Sequence, residues 1–162
     1  MRKLSFLLGM LVFFTLVFAQ PQNPPKGAKC VVCGMDVNMM PKFTSQLKLK
    51  NGKRVYTESP KHAVQYYLKN REKVSEIWVK DFSSGKWING KRAYYVAIDE
   101  GPMGPDIVAF KSLVKAKKFA KGKKVFKFKE LDMEFLKHLD MGHGGMKHGG
   151  GHMNHGGMKH MH

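Results

Sequence analysis

The sequence contains only two cysteines among its 162 residues, Cys30 and Cys33. A structural zinc site usually takes four ligands, often from two cysteine pairs, and residues 30–139 contain no second pair. A disulfide between cysteines so close in sequence would close a small, reducible ring and remove little chain entropy. These observations argue against a zinc finger and against a structural disulfide. The remaining roles for the two cysteines are the binding of another metal or thiol redox chemistry.

Acidic residues are also scarce, because 12 Asp and Glu stand against 29 Lys and Arg, for a net charge of +17. Such a basic chain raises nucleic acid as a partner. The basic residues are scattered, however, and do not form one stripe with interleaved aromatics. We therefore expect no nucleic-acid partner. Attraction to acidic protein surfaces or to anionic lipid, with peripheral membrane association, fits this charge better.

One long apolar run, Leu4–Phe18, lies near the start of the chain, after Arg2 and Lys3 and before Ala19. Its length of about 15 residues falls short of the roughly 20 that a membrane-spanning helix needs. The pattern is typical of a signal peptide over residues 1–19, with an uncleaved anchor as the alternative. Removing its two basic residues leaves 17 − 2 = +15. We expect a periplasmic or other extracytoplasmic location, and no lipidation, since no cysteine lies at the predicted cut.

The rest of the chain divides into three segments by composition. A Pro, Gln, Asn and Gly-rich linker covers residues 20–29, and the apolar patterns of a single folded domain cover residues 30–139. Residues 140–162 have no apolar periodicity and form a predicted disordered tail rich in His, Met and Gly. We predict an α+β domain made of two similar ββαβ halves.

The first half is predicted from turn and capping signals. Asn51-Gly52 is typical of a two-residue hairpin turn, and Ser59-Pro60 suits the N-cap and first residue of a helix. The predicted elements are strands at 43–50, 53–57 and 74–80, and a helix from Pro60 to about Asn70.

The second half repeats the order of the first. Glycines and prolines at residues 101–105 indicate a turn, and Gly122 fits the position just after a helix. The predicted elements are strands at 93–98, 107–110 and 123–128, a helix at about 112–121, and a short closing helix at 131–139.

The sequence Cys30-Val-Val-Cys33-Gly-Met35 is the first candidate site. A thioredoxin-like redox pair needs a helix to begin at its first cysteine. Gly34, Asp36 and the nearby Pro41 make a poor helix. Thiolate and thioether sulfurs favour Cu(I), and Met35 adds a thioether to the two cysteines. We therefore predict a Cu(I) site at Cys30, Cys33 and Met35.

Two further residues of the domain bear on this site. Met103 lies in the stiff Gly-Pro-Met-Gly-Pro turn, which suits the presentation of a soft ligand, although a methionine there could also fill an apolar gap. We include it as a lesser candidate ligand. His62 falls in the first turn of the predicted helix, and we interpret it as a surface or capping residue.

The tail forms a second candidate site. Its six His and five Met stand among eight Gly, with no Ser, Glu or Gln, a composition that favours metal capture over simple solubility. Imidazole and thioether groups both bind copper, so we predict weak, fast-exchanging copper sites that pass the metal to the cysteines. The predicted tail ligands are His143, Met146, His148, His152, Met153, His155, Met158, His160, Met161 and His162.

Several short motifs occur together in a characteristic order. The Cys-x-x-Cys-Gly-Met motif is followed by Phe43-Thr44, and then by the motifs Trp78–Phe82, Trp87-Ile88, Ala93–Val96, and Pro102-Met103-Gly104 leading to Phe110. In this order and spacing the chain resembles the NosL family, the accessory proteins of nitrous oxide reductase. The resemblance covers nearly all of residues 30–130.

This resemblance implies an extracytoplasmic Cu(I) metallochaperone, not an enzyme. It also implies that Cys30, Cys33 and Met35 occupy the metal-motif positions, and that Met103 occupies the equivalent Met-Gly position of the second half. The expected partners are the apo-protein of a copper enzyme, nitrous oxide reductase in particular, and its assembly machinery. Two alternatives stay open: a thiol-disulfide reductase that serves a copper protein, and a copper storage or resistance protein.

Overall fold

The computed structural model describes residues 20–142, so the predicted signal peptide and the tail from His143 onward lie outside the described residues. Within the described part, no helix is long and apolar enough to cross a bilayer. The strands are β1 (Ser45–Leu49), β2 (Arg54–Thr57), β3 (Val74–Lys80), β4 (Trp87–Asn89), β5 (Tyr94–Gly101), β6 (Gly104–Phe110) and β7 (Val125–Lys127), and the helices are α1 (Pro60–Lys69), α2 (Leu113–Ala120) and α3 (Met133–Met141).

The first half is a sheet covered by one helix. Its strands lie in the order β2-β1-β3-β4, and every neighbouring pair is antiparallel. Helix α1 begins as predicted, because the Ser59 side chain accepts a hydrogen bond from the His62 N–H and Pro60 occupies the first turn. It ends at Asn70, whose backbone N–H donates to the Tyr67 carbonyl.

The second half repeats this arrangement. Its strands lie in the antiparallel order β6-β5-β7, which matches β2-β1-β3 of the first half. Helix α2 follows β6 as α1 follows β2, and Ser112 caps it through a hydrogen bond from the Lys115 N–H. The prediction of an α+β domain with two similar ββαβ halves is confirmed.

The two hairpin turns differ by a few residues from their predictions. The first turn contains three residues, Lys50–Gly52, because the Leu49 N–H pairs with the Lys53 carbonyl and Gly52 takes a φ of 87°. A three-residue loop that ends in a left-handed glycine is a common hairpin form. The second turn is shorter than predicted, since Gly101 pairs with Gly104 and only Pro102 and Met103 form the loop.

The halves share a large apolar cluster. Val64 of α1 is fully buried in the same apolar cluster as Ile107 of β6 and Leu136 of α3. Beyond β3, Asp81 bridges to Ala109, and the Phe82 N–H donates to the Ala109 carbonyl at 2.8 Å. Lys61, next to His62 in α1, donates from Nζ to the Pro105 carbonyl at 2.8 Å, so this end of α1 packs against the β5–β6 hairpin of the other half.

Residues 20–29, the predicted linker, lie against the domain at several points. The Gln22 N–H donates to Gln46 Oε1 at 2.7 Å, and Trp87 Nε1 donates to Asn23 Oδ1 at 3.0 Å. The Val37 N–H also donates to the Ala28 carbonyl at 3.0 Å. These bonds hold the chain just before Cys30 in a defined place.

Candidate metal centre

The cysteine motif forms a tight loop held by backbone hydrogen bonds. The Cys30 N–H donates to the Met35 carbonyl at 2.7 Å, and the Gly34 N–H donates to the Cys30 carbonyl at 2.9 Å. Gly34 takes a φ of 77°, a conformation that costs other residues about 1–2 kcal/mol. The Val32 and Cys33 N–H groups both point at the Cys30 sulfur, at 3.3 and 3.4 Å. The loop therefore folds around this sulfur.

A backbone contact docks this loop onto the first half. The Val31 N–H donates to the Tyr56 carbonyl at 2.9 Å, so Cys30 lies beside the end of β2. Strand β2 runs into the connection that carries Glu58, and α1 begins directly afterwards with His62 in its first turn. The order of elements in the first half thus brings three chain segments to one point.

Four side chains converge where these segments meet: Cys30, Cys33, Glu58 and His62. Their ligand atoms all lie within 4.8 Å of one another. Donors bound to one tetrahedral ion at about 2.0–2.3 Å lie roughly 3.3–3.8 Å apart, so closure around an ion needs shifts of about 1 Å. Cys30, Glu58 and His62 are buried, and Cys33 is half-buried. Both cysteines are free thiols.

The buried carboxylate and imidazole form an ion pair. Glu58 Oε1 lies 2.6 Å from His62 Nδ1, and the same nitrogen lies 3.9 Å from the Cys30 sulfur. Burial alone lowers the pKa of His62, but the Cys30 sulfur and the Glu58 carboxylate outweigh it and raise the pKa to about 9. Burial raises the pKa of Glu58, but His62 and Cys30 lower it more strongly, so it ends below its usual value. At neutral pH the metal-free pocket therefore holds a protonated imidazole against a carboxylate.

Two of the residues in this cluster were not predicted as ligands. The interpretation of His62 as a surface or capping side chain is wrong: the side chain is buried, and only its backbone N–H takes part in the helix cap. The sequence feature that could have identified Glu58 and His62 as candidate ligands is their spacing of four residues, across a helix start that directly follows a strand. This spacing points to a metal site only when the cysteine loop is known to lie beside that strand.

The predicted sulfur ligands lie in different places. Cys30 and Cys33 meet in the cluster, and Met35 is a half-buried residue at the end of the same loop. Met103 lies at the tip of the β5–β6 hairpin with 46% of its surface exposed. Ligation by these four residues stays a prediction. The tail ligands from His143 to His162 lie outside the described residues and also stay predictions.

The cluster changes the argument about metal identity. The sequence argues against zinc because no second ligand pair is visible, yet the fold supplies Glu58 and His62 as two further donors. Two thiolates with an imidazole and a carboxylate suit Zn²⁺ as well as copper. The number of available ligands is therefore no longer an argument for copper over zinc. The sulfur content still excludes hard cations such as Mg²⁺ and Ca²⁺, which take oxygen ligands.

The two-halved α+β fold and its buried Cys, Glu and His cluster define a small domain that could hold a single soft metal ion. The family model of NosL matches residues 21–136, and the chain belongs to this family. A solved structure, the crystal structure of the copper chaperone NosL from Shewanella denitrificans, is similar with a TM-score of 0.64 and 25% sequence identity. The match covers 71% of this chain and 97% of that one. No curated protein sequence matches the chain at a significant level.

Proposed function

We propose that the protein is an extracytoplasmic Cu(I) metallochaperone that delivers copper to a copper enzyme, nitrous oxide reductase in particular. The observation that carries the proposal is the convergence of Cys30, Cys33, Glu58 and His62 within 4.8 Å. Membership of the NosL family and the likeness to a solved copper chaperone support copper as the ion.

The ligand set fits the binding and release of a soft cation. Thiolate is the form of cysteine that binds metal, and the buried Cys30 sulfur, held by two N–H groups, anchors the ion. His62 adds an imidazole after its proton is displaced, and Glu58 balances the charge of the pocket. Met35 is close in sequence and supplies a thioether from the same loop, and Met103 supplies one from the hairpin.

Release requires an accessible side of the site. Cys33 is half-buried, and the residues around the loop include exposed apolar side chains: Val31, Val32, Met39 and Met40. Exposed apolar surface of this kind is typical of a docking site. When a client protein docks here, its own His or Met can bind the ion before the bond to the Cys33 sulfur breaks. The metal then moves by ligand exchange.

The experiment that tests the proposal is a two-step transfer. Reduced mature protein is loaded with one equivalent of Cu(I) and challenged with a Cu(I) chelator, and then mixed with apo nitrous oxide reductase. We expect the ion to survive the chelator and to appear in the reductase. Loss of the ion to a weak chelator would contradict copper binding, whereas retention without transfer would contradict delivery to this client.

Zinc is the rival ion, and a direct competition separates the two. Under reducing conditions the chaperone is expected to keep Cu(I) in the presence of excess Zn²⁺, because thiolate binds Cu(I) more strongly. Displacement of Cu(I) by Zn²⁺ would instead assign the cluster to zinc.

The alternative of a thiol-disulfide reductase has less structural support. Cys30 lies in a loop that folds back on Met35, not at the N-terminus of a helix. Replacing Met35 discriminates, because it removes a predicted thioether ligand while both cysteines and His62 stay available for thiol exchange. A storage protein, in turn, is distinguished by binding many copper ions per chain.

A further inference from the structure

A cleft with a volume of about 260 Å³ lies where the two halves meet. Its walls include both tryptophans of the sequence, Trp78 and Trp87, together with the charged residues Arg92 and Lys111. None of these four residues is part of the metal cluster. The two tryptophan motifs that stand out in the sequence therefore form a site of their own.

The register of β3 and β4 brings the two indole rings together. Trp78 pairs with Asn89, and Lys80 pairs with Trp87, so all four side chains lie on the same face of the sheet. Trp78 and Trp87 are diagonal neighbours in this ladder, a distance that large aromatic side chains can bridge. The Lys80 Nζ lies 3.9 Å from the centre of a Trp87 ring and adds a positive charge beside it.

Two further positive charges come from chain segments beside the sheet. Arg92 ends the short 3₁₀ turn that directly follows β4. Lys111 follows β6 in the second half, and its N–H donates to Asp81 Oδ1 at 3.2 Å, just beyond the end of β3. Both side chains are exposed, and neither forms a salt bridge within residues 20–142. No Asp or Glu lines the cleft in the described part of the chain, so these charges are available to an acidic ligand.

The indole N–H groups already have partners inside the protein. Trp78 Nε1 donates to Glu76 Oε2 at 3.0 Å, and Trp87 Nε1 donates to Asn23 Oδ1 at 3.0 Å. The Glu76 carboxylate is in turn 3.9 Å from Lys48 Nζ, which offsets its charge. The two rings therefore offer a ligand their apolar surface, and aromatic or large aliphatic groups pack best against such surface.

The size and place of the cleft favour a protein ligand. Pockets for drug-sized molecules usually have volumes of about 300–1,000 Å³, so this smaller cleft suits one large side chain. Tryptophan and arginine are enriched among the residues that dominate protein–protein binding. Asn23, the partner of Trp87, is seven residues before Cys30, and seven residues span at most about 25 Å. A protein that covers the cleft can therefore also reach the accessible side of the metal site.

We infer that this cleft is a docking site for a partner protein, and that it binds a segment in which an aromatic side chain lies among acidic residues. The aromatic side chain packs against Trp78 and Trp87. The acidic residues pair with Arg92 and Lys111. A second copy of this strongly basic chain is repelled by like charge and fits the site poorly. The identity of the partner as the copper client rests on the proposed function, whereas the binding of the acidic segment does not.

Peptide binding to the reduced, copper-free mature protein tests the inference. The probe is the peptide acetyl-Asp-Glu-Phe-Glu-Asp-amide. Both tryptophans of the chain lie in the cleft, so a change in tryptophan emission reports its occupancy directly. We expect saturable binding that weakens about tenfold or more when Ala replaces the Phe of the peptide. Binding should also weaken at high salt, because exposed charges are screened, and a peptide with Lys in place of the acidic residues should not bind.

The charges of the cleft are tested by the double variant Arg92→Gln/Lys111→Gln. Both side chains are exposed, so we expect the fold to be kept, which circular dichroism checks. The acidic peptide should bind about fivefold or more weakly. The matched control is Arg71→Gln/Lys73→Gln, which removes the same charge from two exposed residues in the turn between α1 and β3. It should bind the peptide like the parent.

The outcomes separate this inference from the proposed function. Unchanged tryptophan emission with the acidic peptide, equal binding of the Ala peptide, or an equal loss in both double variants would overturn docking at the cleft. Phenylacetate that binds as tightly as the peptide would assign the cleft to a small aromatic acid instead. A dimer of the parent that dissociates in Arg92→Gln/Lys111→Gln would assign it to a second copy of the chain. Loss of Cu(I) to a weak chelator, with peptide binding intact, would overturn the proposed function alone.

Discussion

Glu58 Oε1 contacts His62 Nδ1 at 2.6 Å in a pocket where both side chains are buried. The same Nδ1 lies 3.9 Å from the Cys30 sulfur, so an ion held between His62 and Cys30 takes the place of the His62 proton, and the Glu58 carboxylate offsets the charge of the ion. Cys30 and Glu58 outweigh burial and raise the pKa of His62 to about 9, so a metal ion binds this imidazole in competition with a proton.

Replacing Glu58 by Gln should weaken metal binding. The amide keeps the size of the side chain but loses the negative charge that offsets the bound cation, and the loss of a partner group at a metal site typically costs 10- to 100-fold in affinity. Competition against a Cu(I) chelator measures the loss. The control is Glu76→Gln, a partly exposed carboxylate on β3 that is outside the cluster. Equal affinity for the two variants would exclude Glu58 from the site.

The two cysteines should contribute unequally. Cys30 is buried and its sulfur accepts two backbone hydrogen bonds, whereas Cys33 is half-buried. We expect Cys30→Ser to abolish tight Cu(I) binding, and Cys33→Ser to retain weaker binding and to release the ion faster. Chelator competition and stopped-flow release rates measure both effects. The reverse ranking would contradict the assignment of Cys30 as the anchor.

Asp106 should make stability depend on pH. It is fully buried, and burial raises its pKa to about 6 although the Ile107 and Lys61 N–H groups donate to its Oδ1. Because the folded pKa exceeds the unfolded value of 3.8, the folded state holds the proton more tightly. The stabilisation is complete below pH 4 and is lost as pH rises through 6, by up to about 3 kcal/mol.

The variant Asp106→Asn isolates this effect. Its amide oxygen can still accept both N–H groups, but it does not titrate. Urea unfolding at several pH values between 4 and 7 should show a fall in stability for the parent that the variant lacks. The same pH profile for both proteins would show that another group is responsible.

Gly101 should not tolerate a side chain. A Cβ at this position would lie 2.5 Å from the Asp106 Cβ and 2.9 Å from the Gly104 carbonyl oxygen. Overpacking of this kind costs about 1–3 kcal/mol, so Gly101→Ala should lower the unfolding midpoint and disturb the hairpin that carries Met103. Gly142→Ala is the control, since its nearest contacts are 3.5 Å or longer. Thermal unfolding of both variants checks the difference.

Local signals in the sequence predicted most of the secondary structure. Ser59 and Pro60 mark the start of α1 because capping depends on residues next to each other in the chain, and β3 has the predicted bounds of Val74 and Lys80. Hairpin turn lengths were less accurate, because Asn51-Gly52 can close either a two-residue or a three-residue loop. The prediction of two similar halves rests on the same order of these local signals in each half of the domain.

The metal cluster was only half predictable. Cys30 and Cys33 share a motif, so sequence proximity alone places them together. Glu58 and His62 join them through the docking of Val31 on Tyr56, a contact between segments that are far apart in sequence. No local pattern encodes that contact, and a lone histidine near a helix start is ordinarily a capping or surface residue.

The central claim is that the cysteine sulfurs and the His62 imidazole bind one monovalent copper ion. X-ray absorption of the copper-loaded mature protein, compared with the chain that ends at Gly142, tests it most directly. The account predicts a Cu(I) edge, sulfur neighbours and one imidazole in both proteins at one equivalent of copper, with the imidazole signal lost in His62→Ala of the shorter chain. A first shell without cysteine sulfur, or an imidazole signal that survives this substitution, would contradict it.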